Sequence, residues 1–252
     1  MSRRIEFLGL CFDDLTLAEA LDRIEEFIRE RTPRKIFTPN VALLIWSRKD
    51  PFLRDVYRSC DIVTVDGMAI YYALHLVGTP VKESLSASLM FYPLLKLAQE
   101  KSYGVYLLGA KEQVLQAAVQ NLRQQFPGIR IVGAHHGYFD VDNAATVVAD
   151  IRQAGPDILL LGMSTPMKER LAERYLAEMN VPVTLGVGGM FDIAAGLARF
   201  APGWIRTLCL EWLYRLLQEP RRMWKRYLTT NLVFLWLVQK ELVRRRILRR
   251  TT

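Results

Sequence analysis

The chain has 252 residues, 51% of them hydrophobic and 24% charged, a composition ordinary for a soluble globular protein and long enough to bury a full core. Its net charge of +8 is unevenly spread: residues 199–252 hold 13 Lys and Arg against 3 Asp and Glu, a net +10, so the remainder is −2. A basic C-terminal part points to an anionic partner such as nucleic acid, phosphate groups or anionic lipid headgroups, whereas three widely spaced cysteines, Cys11, Cys60 and Cys209, with no CxxC and no clustered histidines, argue against a disulfide framework or a zinc site and fit a reducing cytoplasm.

The N-terminal stretch MSRRIEFLGLCFDDL has a short apolar run interrupted by Glu6 and followed by two aspartates, a pattern not expected of a secretory signal peptide. Residues 15–32 place Leu17, Leu21, Ile24 and Ile28 at helical spacing behind Thr16, an expected N-cap. RKIFTPN reads as a strand ending at Pro39. NVALLIWSRKDPFLRDVYRSC reads as a helix broken near Asp50 and Pro51, and DIVTVDG as a five-residue buried strand opening into a glycine turn. Residues 103–128 give a strand, a glycine turn and an amphipathic helix, followed by a strand in IRIVGAHHGYF. The segment from Asn143 to Met179 repeats helix, strand, turn and helix, and VPVTLGVGGMF is the last strong strand. Near-continuous apolar strands separated by amphipathic helices predict a doubly wound, mostly parallel, Rossmann-like α/β domain, here residues 1–203, followed by a basic amphipathic helical appendage, residues 204–252. The apolar stretch at 231–239 is too short to span a bilayer.

In such a sheet, ligands bind where the carboxyl ends of strands meet helix starts. The loops TPN, VDG, LLGAKE, LLGMSTP and GVGGMFD therefore share one rim. The glycine turns at 109–110, 162–166 and 186–189 let backbone amides approach a phosphate, although none is a P-loop or a GxGxxG, and each also serves as plain strand-to-helix punctuation. Asp66, just past a buried strand, suits a general base presented at the rim, or a cap for the following helix. Thr38 and Asn40 carry the same two readings. His135 and His136 are adjacent, so an extended strand would point them to opposite faces; with His75, inside an apolar helix, they read as structural. In the tail, Trp204, Leu208, Trp212, Leu213, Leu216 and Leu217 are helically spaced, basic residues cluster around Pro220, and Trp224, Leu228, Leu232, Leu235 and Trp236 follow. This describes either a helix packed on the domain with a solvated basic face or one lying in a bilayer interface. The basic residues interleave with aliphatic stripes and no stacking platform is recognisable, which places lipid above nucleic acid as the anionic partner.

Taken together, TPN at 38–40, VDG at 65–67, PG followed by GYF at 127–139, PDILLLG at 156–162 and GVGGMFDIAAG running into RFAPGWIRTLCLEWLYRLLQEPRRMWKRY resemble the WecG/TagA/CpsF family of bacterial glycosyltransferases, glycosyltransferase family 26, over almost the whole chain. The resemblance implies a metal-independent, cofactor-free, inverting transfer of a hexose-type sugar from a UDP-sugar to an undecaprenyl-diphosphate-linked sugar. It places the enzyme peripherally on the cytoplasmic face of the membrane, in the synthesis of teichoic acid linkage units, enterobacterial common antigen or exopolysaccharide. On this resemblance Asp66 is the base, and Thr38 and Asn40 line the reacting centre. Gly109, Ala110, Gly162, Ser164, Pro166, Lys168, Gly188, Gly189 and Phe191 form the nucleotide-sugar loops. Arg215, Arg222 and Lys225 grip the acceptor diphosphate with Arg221 and Arg226 nearby. No nucleic acid is expected as a partner, and the apolar tail would favour a homo-oligomer off the membrane. The chain departs from the family pattern twice. ESLSASL at 83–89 keeps Glu83 but has Ser84 for an arginine, Ala87 for a glycine and Leu89 for an aspartate; GMSTPMKE has Ser164 for a glycine and Lys168 for a glutamine. Lys168 taking over the arginine's role, or meeting an acidic sugar, is one consequence; the alternative is a catalytically impaired member acting as a membrane-surface scaffold.

Overall fold

The computed structural model describes residues 3–199, 201–202, 205, 213–214, 217 and 220–248, with side chains of the last helix described at Trp224 and from Thr229 to Arg245. A six-stranded parallel sheet is built from β3 (Arg34–Phe37), β4 (Ile62–Val63), β5 (Gly104–Gly109), β6 (Arg130–His135), β7 (Ile158–Gly162) and β8 (Val183–Gly186), in the order β4-β3-β8-β7-β5-β6. Strand alternation divides the core. Phe37, Val63, Tyr106, Leu108, Leu159 and Leu161 face one layer, and Ile36, Ile62, Val105, Leu107, Ile158 and Leu160 face the other.

The first layer holds α2 (Val41–Lys49), α3 (Pro51–Arg58), α4 (Met68–Leu76), α7 (Ala145–Ala154) and α8 (Met167–Met179). The second holds α1 (Leu17–Glu30), α5 (Ala87–Glu100), α6 (Glu112–Gln125) and the short α9 (Met190–Ala194). With both faces covered, the architecture is the doubly wound α/β sheet read from the sequence.

Local chemistry sets the boundaries. Thr16 and Glu19 form a capping box: the Glu19 amide donates to the Thr16 hydroxyl at 3.2 Å and the Thr16 amide to Glu19 Oε2 at 2.8 Å. Asp50 ends α2 and caps α3, whose first residue is Pro51, so the helix breaks where proline and aspartate predict. The strand expected over DIVTVDG shrinks to Ile62–Val63. It is an edge strand; the Thr64 amide still donates to the Phe37 carbonyl of β3 at 3.3 Å, while the Thr64 hydroxyl donates to the Leu85 carbonyl.

One element has no counterpart in the sequence reading. β1 (Arg4–Phe7) and β2 (Leu10–Asp13) form an antiparallel hairpin around Leu8 and Gly9, with φ of 50° and 94°, the left-handed pair that a two-residue hairpin turn requires. Phe7 is buried against α10 (Pro220–Leu248), edge-on to Phe234 at 6.5 Å. Phe234, Leu237 and Val238 enter the first-layer core, α10 packs along α2, and Arg245 donates to the Val77 carbonyl at 3.2 Å. Its opposite side leaves Leu232, Leu235 and Trp236 exposed. Among the described residues no helix is long and apolar enough to cross a membrane.

Candidate active site

Because every strand of the sheet runs the same way, all their carboxyl ends reach one rim. Phe37 pairs with Val63, and Asn40 and Asp66 each stand three residues past that pair, so TPN and VDG leave the sheet side by side. Gly109 pairs with Gly162, and Leu161 with Gly186, which brings the three glycine turns together further along the rim.

At the first of these places the backbone is tied tightly. Thr38 is buried, and its Oγ1 accepts from the Ala87 amide at 3.3 Å. Ser86 caps α5 and its hydroxyl pairs with that of Ser88 at 2.7 Å. Glu83 accepts from the Leu17 amide at the start of α1 at 2.9 Å, and the Lys82 amide donates to Asp14 at 2.7 Å. The 82–88 segment is thereby held against Thr38. Asn40 is the N-cap of α2, its Oδ1 accepting from the Leu43 amide at 3.2 Å. Asp66 is half-buried and does not cap α4. That place belongs to Gly67, whose φ of 100° positions the first turn, and Asp66 stands one residue before it, at the rim.

The glycine turns are close-packed backbone. A Cβ on Gly109, at φ 145°, would lie 2.4 Å from the carbonyl carbon of Gly162, and a Cβ on Gly162 would lie 2.4 Å from the Phe191 ring. Ala110 donates to the Gly162 carbonyl at 3.2 Å and accepts from the Gly137 amide at 2.9 Å. Gly188, at φ 55°, has open space around it, and Gly189 starts α9. Helices α1, α2, α3 and α5 begin on side-chain caps, whereas α4, α6, α8 and α9, which follow β4, β5, β7 and β8 directly, do not. These helix starts lie at the rim, where such termini suit oxyanions, although the first amide of α9, Met190, is already bonded to the Val187 carbonyl at 3.3 Å.

Ser164 is exposed and its carbonyl accepts from the Met167 and Lys168 amides at 2.8 and 3.2 Å. Pro166 is the N-cap position of α8. Lys168 turns inward: its ammonium contacts Thr165 and Glu169 and lies 5.7 Å from the Phe37 ring centroid. Glu169, fully buried, accepts from Tyr57 at 2.8 Å and from Thr165 at 2.9 Å. Burial, then the adjacent Glu169 carboxylate, push the Tyr57 phenol far above its ordinary value. Sequence reasoning missed Glu169 and Tyr57, since KERLAERY has the polarity of a solvated helix face; only its place directly after a rim loop was a signal.

The histidines correct an expectation. β6 stops at His135, so the two rings do not diverge but lie 4.5 Å apart, with His135 Nδ1 2.8 Å from the His136 carbonyl and His136 Nδ1 accepting from the Tyr138 amide. His75 is exposed and bonded to Tyr71 within its own helix. No cluster able to hold a metal ion occurs among the described residues. Of the tail residues, Arg215 lies outside the described residues. Arg221, Arg222, Lys225 and Arg226 fall on the first turns of α10, with their side chains outside the description.

The glycosyl transferase WecG/TagA/CpsF family model matches residues 5–248. A Staphylococcus aureus (strain MW2) protein named N-acetylglucosaminyldiphosphoundecaprenol N-acetyl-beta-D-mannosaminyltransferase is 28% identical over 222 residues, 87% of each chain. A Bacillus subtilis (strain 168) protein of the same name is 29% identical over 226 residues, 89% of this chain and 87% of its own.

Proposed function

The chain belongs to the glycosyl transferase WecG/TagA/CpsF family, and we propose from this that it moves a hexose-type sugar from a UDP-sugar, with inversion, to a polyprenyl-diphosphate-linked sugar for a cell-envelope polymer. The names of its relatives support the acceptor class, since both act on N-acetylglucosaminyldiphosphoundecaprenol. The observation that carries the reading is the placement of Asp66 beside Asn40 and the buried Thr38, on the same rim as four helix starts without side-chain caps.

In this mechanism the Asp66 carboxylate takes the proton of the acceptor hydroxyl while its oxygen attacks the anomeric carbon from the side opposite UDP. The bond from that carbon to the UDP oxygen breaks, and its electron pair leaves with the diphosphate. Amides of Ser164 and Thr165 and of Gly188 and Gly189 meet the charge developing there. Arg215, Arg221, Arg222, Lys225 and Arg226 hold the acceptor diphosphate, guanidinium groups being matched to paired phosphate oxygens. The exposed Leu232, Leu235 and Trp236 on α10 support a peripheral site of action on the cytoplasmic membrane face.

The test is UDP release from a panel of UDP-sugars with a short-chain prenyl-diphosphate-linked N-acetylglucosamine, comparing wild type with Asp66→Asn. Release that requires both substrates and collapses in the variant is expected. Equal release by the two proteins would remove Asp66 as the base, and none from any pair would remove the transferase reading.

A further inference from the structure

The mechanism above makes no use of the most deeply buried ion pair at the rim. The side chains of Lys168 and Glu169 are 9% and 0% exposed, although charged neighbours on a helix ordinarily reach water. Desolvating both ions is costly, and their surroundings are organised unevenly. The Tyr57 hydroxyl, the Thr165 hydroxyl and the Lys168 ammonium all converge on Glu169 Oε1, while Oε2 is buried with no hydrogen-bond partner. The carboxylate therefore does not depend on the ammonium alone. Two neutral donors stay with it if the lysine leaves.

The lysine lies where leaving would bring it to the ligand. Its Cε packs 3.3 Å from the position a Cβ on Gly186 would take, at the end of β8, and its ammonium lies over Phe37, the residue before Thr38. A Cβ at 186 would also meet the Phe37 ring at 2.6 Å, so glycine there lets the stem cross the strand end. Thr165, the other group the ammonium touches, belongs to the 162–166 turn. The lysine stem is a flexible chain of four carbons, and its Cε already lies against Gly186, the first residue of the 186–189 turn.

We propose that Lys168 is an exchangeable cation: it rests on Glu169 and Thr165 before the donor arrives and shifts to the donor diphosphate on binding, while Tyr57 and Thr165 keep the Glu169 carboxylate hydrogen-bonded. The inference rests on the UDP-sugar reading and adds a residue that senses the diphosphate in particular, with Glu169 and Tyr57 as positioning residues acting through it.

The test compares UDP with uridine, binding each to the full chain by calorimetry. Lys168→Met alone strands a buried carboxylate, so the informative variant is Lys168→Met with Glu169→Gln, which removes both charges at nearly constant volume. The preference for UDP over uridine should fall by about tenfold or more, the scale of a hydrogen bond between charged groups, with uridine affinity unchanged. Tyr57→Phe, which keeps the ring and removes one of the two donors left to Glu169, should reduce UDP affinity by about fivefold and leave uridine alone. An unchanged preference in either variant, or an equal loss for both ligands, would overturn the exchange and leave the cluster as a prop for the loop. Failure of the wild type to bind UDP at all would overturn the donor reading itself.

Discussion

Replacing Gly109 with alanine tests whether the rim's glycines are demanded by packing. The residue sits at φ 145°, and an added Cβ would meet the carbonyl carbon, oxygen and Cα of Gly162 at 2.4, 2.5 and 2.6 Å. All three are backbone atoms in the β5–β7 ladder, so no side chain can swing aside and the two strand ends must part. The disfavoured backbone region costs about 1–3 kcal/mol and overpacking a tight contact about 1–3 kcal/mol more. For a chain of this size each kcal/mol lowers the melting temperature by roughly 2–4 °C, so Gly109→Ala should melt on the order of 10 °C below wild type. Gly155→Ala is the matched control. It also sits at positive φ, 57°, as the C-cap of α7, but nothing lies within 4 Å of its added methyl, so the loss should be about 1 kcal/mol and a few degrees. The assay is thermal unfolding followed by circular dichroism. Equal losses in the two variants would refute the argument, because backbone strain would then explain both and the approach of β5 to β7 would count for nothing.

Three further outcomes are expected. Asp66→Asn should lower turnover by about 100-fold or more, the usual weight of a positioned base, with melting temperature and UDP affinity unmoved; a joint loss of stability would show the carboxylate to be structural. Phe234→Ala should destabilise by about 3 kcal/mol, since the ring is buried against Phe7, and a melting temperature within a degree of wild type would mean that α10 contributes nothing to the core. Burial raises the Glu241 pKa, but hydrogen bonds from Arg245 and Arg244 outweigh it and hold the folded value below the ordinary 4.5. Glu241 therefore adds stability that is fully present above pH 4.5 and is lost as pH falls through its lower folded value. Amide exchange in α10 should quicken over that acid interval in wild type and show no such step in Glu241→Gln.

Much of the fold was legible because local and tertiary signals agree. Thr16 with Glu19 marks a helix start, Asp50-Pro51 a break, and the apolar runs at 104–109 and 158–162 are buried on both faces as central parallel strands must be. The hairpin was readable in principle from the alternation of Ile5, Phe7, Leu10 and Phe12 around Leu8-Gly9, but a leucine at positive φ is not a turn signal that local propensity offers. For the site, parallel topology alone brings the predicted loops to one rim. It could not reveal that Gly67, not Asp66, starts α4, nor that Lys168 and Glu169 turn inward, because both depend on where α3 and β3 lie across the fold.

The contact between Phe7 and Phe234 also has a consequence in time. One side of the sheet is opened by residues of the β1–β2 hairpin and closed by residues 234–238, made some 230 positions after Phe7. Until translation has passed that point, this apolar layer of the nascent chain has no α10 over it, and exposed apolar surface of that kind is prone to aggregate. The sheet's other side, covered by α1, α5, α6 and α9, is complete by residue 194.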